Sequence, residues 1–191
     1  MDLRCDNKNM KLNIPYYSQF LEVKDYEWNI RSCTGTCAAM ILEYFTGKKL
    51  DILAFMKKSE AEGGYSRLNG MSHDYVISFF ESEGLRSWRY KNEETKDVLN
   101  TTDPIIESLR NNNPVIVSIT KFVLEQKKFH TVLIIGFIEN EQGEVTHLYY
   151  HEPEATTARV SGDPAVGGAD HCSDIETFKN SWRGRAIFVQ K

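Results

Sequence analysis

The sequence contains no apolar run that approaches the ~20 residues needed to span a membrane. Its first ten residues also lack the hydrophobic core of a secretory signal peptide, so we expect a cytoplasmic protein. Four cysteines in 191 residues are too few for a disulfide scaffold, and reduced thiols are the expectation. The formal net charge is −4, which gives no reason to expect nucleic acid or an acidic membrane as a partner.

The remaining composition is that of an ordinary soluble domain, and the chain is long enough to bury one core. We expect residues 1–11 to form a flexible N-terminus and residues 12–191 to form a single domain. Helical patterns dominate a first half, about 12–112, and strand patterns dominate a second half, about 113–191. Helices first and antiparallel strands second indicate an α+β fold.

Helix patterns are recognised by apolar residues at spacings of three and four and by capping residues at the ends. Helices are predicted over residues 33–45, 51–61, 73–83, 104–112 and 174–181. Gly47 is the expected stop of the first of these helices, and Asp51 is the expected N-cap of the next.

Strand patterns are β-branched or alternating and are bounded by turn residues. Strands are predicted over residues 12–17, 85–91, 115–119, 130–138, 145–151 and 185–189, with a hairpin turn at 140–144. Two segments are predicted as loops. They are residues 24–31, which contain Trp28, and the long stretch 154–172.

Cys33 is the first candidate for chemistry because it lies at the start of a predicted buried helix. Free N–H groups and the positive end of the helix dipole favour a thiolate over a thiol at that position. A cysteine hydrolase also needs an imidazole to activate the thiol and donors for the oxyanion. Chemistry of this kind requires no metal or organic cofactor.

Three other residues fit those needs. His130 opens the most apolar strand in the chain, where a solvated histidine is not expected. Glu152 ends the neighbouring hairpin strand and could orient the His130 imidazole. Gln19 follows the first predicted strand, and its amide could donate to an oxyanion together with the Cys33 N–H.

Five stretches, taken in order, resemble the papain-like cysteine peptidases of the bacteriocin-leader-processing (double-glycine) type. They are Ile14–Gln19, Cys33–Leu42, Asn113–Val117, His130–Phe137 and Trp182–Gly184. The resemblance covers most of the chain and extends to stand-alone bacterial relatives. It implies a papain-like fold in which a helical half carrying the cysteine packs on an antiparallel sheet carrying the histidine.

The same resemblance implies roles for the candidate residues. It makes Cys33 the nucleophile, His130 the base and Gln19 part of the oxyanion hole, with a peptide or protein as the substrate. Two features depart from the family pattern. Cys33 is followed by Thr34-Gly35-Thr36 where the family usually has Gly-Pro-Ala, and Glu152 stands where Asp or Asn is usual.

These departures leave two alternatives to a cysteine peptidase. One is a papain-like module that binds a peptide or partner without cleaving it. The other is a transglutaminase-like acyl transferase with an amine acceptor. Three further features are assigned to structure: Cys37 to core packing, His171 and Cys172 to a polar loop without a zinc-ligand spacing, and Glu62-Gly63-Gly64 to a loop.

Overall fold

A computed structural model describes residues 8–91, 104–123, 126–156 and 167–191. The helices within these ranges are α1 (Gln19–Glu22), α2 (Tyr26–Asn29), α3 (Cys33–Thr46), α4 (Ile52–Ala61), α5 (His73–Ser82), α6 (Pro104–Arg110) and α7 (Ile175–Ser181). The strands are β1 (Lys8–Lys11), β2 (Tyr65–Ser66), β3 (Gly70–Met71), β4 (Arg86–Lys91), β5 (Val115–Val123), β6 (Gln126–Glu139), β7 (Val145–His151), β8 (His171–Asp174) and β9 (Trp182–Gln190).

Seven of the described strands form one antiparallel sheet. Six of them lie in the order β4-β9-β5-β6-β7-β8, and the seventh, β1, pairs with residues 136–139 at the end of β6. The C-terminal strand β9 lies inside the sheet, between β4 and β5. In the described part of the chain, β4 therefore joins the sheet only through β9. The predicted α+β class and the helical half packed on an antiparallel sheet are confirmed.

The core lies where α3 packs against β6. Residues 34–42 of α3 are all buried, and residues 132–135 of β6 are exposed by 1% or less. Burial of apolar side chains on both faces of β6 explains why its sequence is a continuous apolar run instead of an alternating one. This packing brings the start of the helix and the middle of the strand together.

Local capping signals fix the helix ends as predicted. Gly47 ends α3 in the left-handed conformation with φ 73°, which a glycine adopts without steric cost. The carboxylate of Asp51 accepts a hydrogen bond from the N–H of Ala54 at the start of α4. Asp174 does the same for Thr177 at the start of α7.

Four predictions of secondary structure are wrong in part. Residues 12–18 form no strand, and the N-terminal strand is instead β1, within the segment predicted to be flexible. The predicted loop 24–31 contains the short helix α2, and the end of the predicted loop 154–172 begins β8. These short elements are polar and depend on distant partners, namely β6 for β1 and β7 for β8.

Parts of three predictions lie outside the described residues: residues 1–7 of the N-terminal segment, residue 103 before α6, and residues 157–166 of the long loop. The longest described helix, α3, has 14 residues. Within the described ranges, no helix combines the length and the apolar character that crossing a bilayer requires.

Candidate active site

Cys33 is the first residue of α3 and is half-buried. The N-cap residue Ser32 does not cap the helix with its side chain, because its hydroxyl donates to the carbonyl of Trp28 in α2. The N–H groups of the first turn thus keep their partial positive charge beside the sulfur. This local arrangement favours a thiolate.

His130 and Glu152 form a close pair in the buried layer of the sheet. His130 lies on β6 with 2% of its surface exposed, and Glu152 directly follows β7 with 3% exposed. The Nε2 atom of His130 is 2.6 Å from Oε1 of Glu152. With Nε2–H donating to the carboxylate, Nδ1 is the ring nitrogen left to face Cys33.

The electrostatics of Cys33 and His130 are coupled. Burial alone would raise the pKa of the Cys33 thiol, but the hydrogen bond and positive charge of His130, with hydrogen bonds from Thr131, lower it below the usual value. Burial likewise opposes a charged imidazole, yet hydrogen bonds to Cys33 and Glu152 raise the pKa of His130 to about 9. Both pKa shifts favour the thiolate–imidazolium pair over the neutral thiol and imidazole.

The position of Glu152 is fixed from several directions. Its Oε1 atom also accepts from the backbone N–H of Glu154 at 2.8 Å, and its own N–H donates to the carbonyl of Gly168 at 2.7 Å. The hydroxyl of Tyr16 donates to the Glu152 carbonyl at 2.9 Å. A Cβ at Gly168 would lie 1.7 Å from the Tyr16 hydroxyl and 2.5 Å from the Glu152 carbonyl, so only glycine allows this approach.

Gln19 lies next to the Glu152 turn. It opens α1, is 1% exposed, and its backbone N–H donates to the carbonyl of Pro153 at 2.8 Å. Ser18 ties the same segment to the carbonyl of Ala155. The buried Oε1 of Gln19 has no hydrogen-bond partner among the described residues. The structure thus attaches Gln19 to the turn that carries Glu152.

Two of the three residues that follow Cys33, Thr34 and Gly35, have specific contacts of their own. The Thr34 hydroxyl lies 3.0 Å from the Thr131 hydroxyl, which connects α3 directly to β6. Gly35 fits closely under α4, since a Cβ there would lie 2.8 Å from the sulfur of Met56. The role of Thr34 and Thr131 was not predicted, because a single threonine in a helix or strand gives no local signal.

Other candidate side chains have structural partners. His151 bonds the Ile14 carbonyl through Nε2 and accepts from the Asp170 N–H through Nδ1, so both of its ring nitrogens are occupied. Cys37 is buried, and burial together with the charge of Cys33 raises the pKa of its thiol well above normal. Among the described residues, no three His, Cys, Asp or Glu side chains converge as metal ligands would.

A helix that presents a cysteine at its N-terminus to a histidine of an antiparallel sheet defines a protein of the papain-like fold class. The Peptidase_C39 like family matches residues 11–186, and the chain belongs to that family. This membership supports a peptidase function in general terms. No curated protein matches the chain.

Two solved structures share the fold. A protein from Bacillus anthracis assigned to the C39-like peptidases superposes with a TM-score of 0.60 at 16% identity, over 96% of this chain and 98% of that one. A double glycine motif protease from an AMS/PCAT transporter, solved in complex with the leader peptide, gives 0.55 at 17% identity over 95% of each chain. At these identities the likeness concerns the fold.

Proposed function

We propose that this protein is a cysteine peptidase, or a related amide or thioester hydrolase, in which Cys33, His130 and Glu152 act as a catalytic triad. The 2.6 Å contact between His130 and Glu152, with His130 coupled electrostatically to Cys33, is the observation that carries the proposal. A thiolate, an imidazolium and an orienting carboxylate are the groups that nucleophilic acyl transfer requires. A peptide substrate agrees with the family membership.

The reaction follows from these positions. The Cys33 thiolate attacks the scissile carbonyl carbon, and the carbonyl oxygen becomes an oxyanion. The His130 imidazolium gives its proton to the leaving amine as the C–N bond breaks, which leaves an acyl-enzyme thioester. The neutral imidazole then takes a proton from water, the hydroxide attacks the thioester, and the carboxylic acid leaves as the Cys33 thiolate and the His130 imidazolium are restored.

Gln19 and the Cys33 N–H are proposed as the oxyanion donors. Gln19 is buried, and the hydrogen bond from its backbone N–H to the Pro153 carbonyl holds it beside Glu152, with its side-chain NH2 group as the proposed donor. The N–H of Cys33 belongs to the first turn of α3, where no intrahelical acceptor exists. Loss of one such donor typically lowers the rate by about 100-fold or more.

The proposal is tested with Cys33→Ala and, as a matched control, Cys172→Ala, which removes an exposed thiol on β8. Peptide hydrolysis and labelling by peptide-like electrophiles are followed by mass spectrometry. We expect Cys33→Ala to abolish both, and Cys172→Ala to leave both intact. Equal labelling of Cys33 and Cys172 in the parent protein, with hydrolysis retained in Cys33→Ala, would overturn it.

The two alternatives from the sequence are separable. Separation of Cys33 from His130 would favour a module that only binds, whereas the electrostatic coupling of the two side chains supports the peptidase. An acyl transferase would pass the acyl group to an amine instead of water. Incubation with a labelled amine decides this point, since a hydrolase yields no amine adduct.

A further inference from the structure

A cluster of basic side chains lies at one end of the sheet. Three arginines, Arg89, Arg183 and Arg185, surround His73 at the start of α5, and we call these four residues the arginine cluster. Arg183 bonds the Ser118 hydroxyl and Arg185 pairs with Ser118, so these two arginines lie side by side. Burial and the positive charges of Arg185, Arg89 and Arg183 all lower the pKa of His73. Asp74 contacts Arg89 at 3.5 Å.

Within the described ranges, no carboxylate oxygen lies within 4.0 Å of a guanidinium nitrogen of Arg183 or Arg185. The cluster therefore keeps an excess of positive charge. Three guanidinium groups held together repel one another unless an anion lies between them. The whole chain has a net charge of −4, so this concentration of positive charge is local. An anionic partner from outside the described residues would remove the repulsion.

The arginine cluster adjoins the proposed active site through one row of residues across the sheet. Thr131 bonds Cys33 and pairs with Ser118 on the neighbouring strand, and Ser118 pairs in turn with Arg185. The Nη1 atom of Arg183 donates to the Ser118 hydroxyl at 3.1 Å. Since adjacent strands lie about 5 Å apart, the backbone of Arg185 lies roughly 10 Å from that of Thr131, two strands away.

The guanidinium of Arg183 is also held in position before any ligand arrives. It stacks on the ring of Phe129, 3.5 Å from the ring centroid. Phe129 is the residue before His130 and is 64% exposed. The one bond to Ser118 leaves most of its five N–H donors free. A planar fork fixed in this way is suited to a carboxylate, which it can bind through two parallel hydrogen bonds.

We propose that the arginine cluster binds a carboxylate of the peptide substrate, placed within about three residues of the cleaved bond. The reach follows from the roughly 10 Å between the backbones of Arg185 and Thr131 and the ~3.4 Å that an extended peptide covers per residue. The carboxylate is that of an Asp or Glu side chain or of the peptide's C-terminus. This inference rests on the proposed peptidase function and names the substrate class of the same site.

The experiment uses a pool of random decapeptides, with amidated and free C-termini in separate arms. New peptide ends produced by the protein are read by mass spectrometry. In the amidated arm we expect cleaved peptides to carry Asp or Glu about ten times as often as Asn or Gln at a position within three residues of the cleaved bond. If the C-terminus is the source instead, free peptides are cleaved about tenfold faster than amidated ones near that end.

Two variants assign the preference to the cluster. R183Q/R185Q should reduce the tenfold preference to near parity, whereas R183K/R185K, which keeps the charge, should retain part of it. The matched control is R86Q, because Arg86 is an exposed arginine at the other end of β4, stacked over Trp88. Circular dichroism verifies that each variant is folded. An equal preference in the parent protein and R183Q/R185Q would overturn the inference.

A binding arm separates this inference from the proposed function. The same pools are captured on immobilised C33A and on C33A/R183Q/R185Q, where no cleavage is needed. Enrichment of acidic or free-ended peptides on the first protein alone supports the carboxylate site, even if the parent protein cleaves nothing. Equal capture by both proteins rejects it, even if Cys33-dependent hydrolysis is observed.

Discussion

The hydroxyl of Thr34 lies 3.0 Å from the hydroxyl of Thr131, and this contact connects the first turn of α3 to β6 next to His130. Thr34 stands where family members usually carry glycine. The contact also brings Thr131 near the sulfur, since Thr131 bonds Cys33 through its side chain and its backbone. The relative position of Cys33 and His130 therefore depends in part on two hydroxyl groups.

We expect Thr34→Val and Thr131→Val each to destabilise the protein by about 1–3 kcal/mol, because each leaves a buried hydroxyl without its partner. The double variant should be destabilised by less than the sum of the two single-variant effects, with a coupling free energy of about 1 kcal/mol measured by urea denaturation. Thr46→Val is the control, since its hydroxyl bonds only nearby backbone, the Leu42 carbonyl and the Lys48 N–H. Additive effects of Thr34 and Thr131 would contradict a direct contact.

The lowered pKa of the Cys33 thiol predicts a difference in reactivity between cysteines. The thiolate is the reactive form, and burial raises the pKa of the Cys172 thiol. At pH 7, iodoacetamide should therefore modify Cys33 before Cys172, as read by peptide mass spectrometry. In His130→Ala, the hydrogen bond and the positive charge of the imidazole are lost, so the reaction of Cys33 should require a more alkaline pH.

The rate of peptide hydrolysis should depend on pH with two limbs. The acid limb reports formation of the Cys33 thiolate, and it should lie below the usual thiol pKa. The alkaline limb reports loss of the proton from His130, and it should lie near pH 9. A single limb at the ordinary thiol pKa would show that the two groups are not coupled.

Glu152→Gln tests the orienting carboxylate. The amide keeps the shape but removes the negative charge that raises the pKa of His130, so the alkaline limb should move to lower pH. Hydrolysis should slow by about 100-fold, the lower end of what positioned acid–base groups contribute. Glu176→Gln, which removes an exposed carboxylate paired with Lys179 on α7, is the control and should change neither quantity. An unchanged alkaline limb in Glu152→Gln would remove Glu152 from the triad.

Gly168→Ala should disturb the site through the backbone of Glu152. The added methyl group meets the Glu152 carbonyl, so the backbone at residue 168 or 152 must shift. Overpacking of this kind costs about 1–3 kcal/mol. We expect a lower melting temperature together with slower hydrolysis. Tyr16→Phe removes only the hydroxyl that bonds the Glu152 carbonyl, and it should have a smaller effect on both measurements.

Features with local causes were predictable from the sequence. The extent of α3 follows from its apolar spacing and from Gly47, whose positive φ requires a residue without Cβ. Asp51 and Asp174 are N-cap residues, and the side chain of each accepts a backbone hydrogen bond at the start of the helix that follows. The apolar run that begins at His130 is long enough to indicate a buried strand, and it forms most of β6.

Features with distant causes were not predictable. The strand β1 exists because residues 136–139 of β6 pair with it, and its own sequence, Lys-Asn-Met-Lys, carries no strand signal. Similarly, β8 forms against β7. The nearness of Glu152 to His130 could be inferred from hairpin geometry, but the contacts of Glu152 with Tyr16 and Gly168 required the folded chain.

The place of β9 inside the sheet has a consequence for biosynthesis. β4 leaves the ribosome well before β9, yet β9 is its neighbour in the described sheet. Until β9 has emerged, β4 and the helix α5 packed on it cannot dock beside β5. Arg183 and Arg185 belong to β9, so the nascent chain acquires the arginine cluster at the same step.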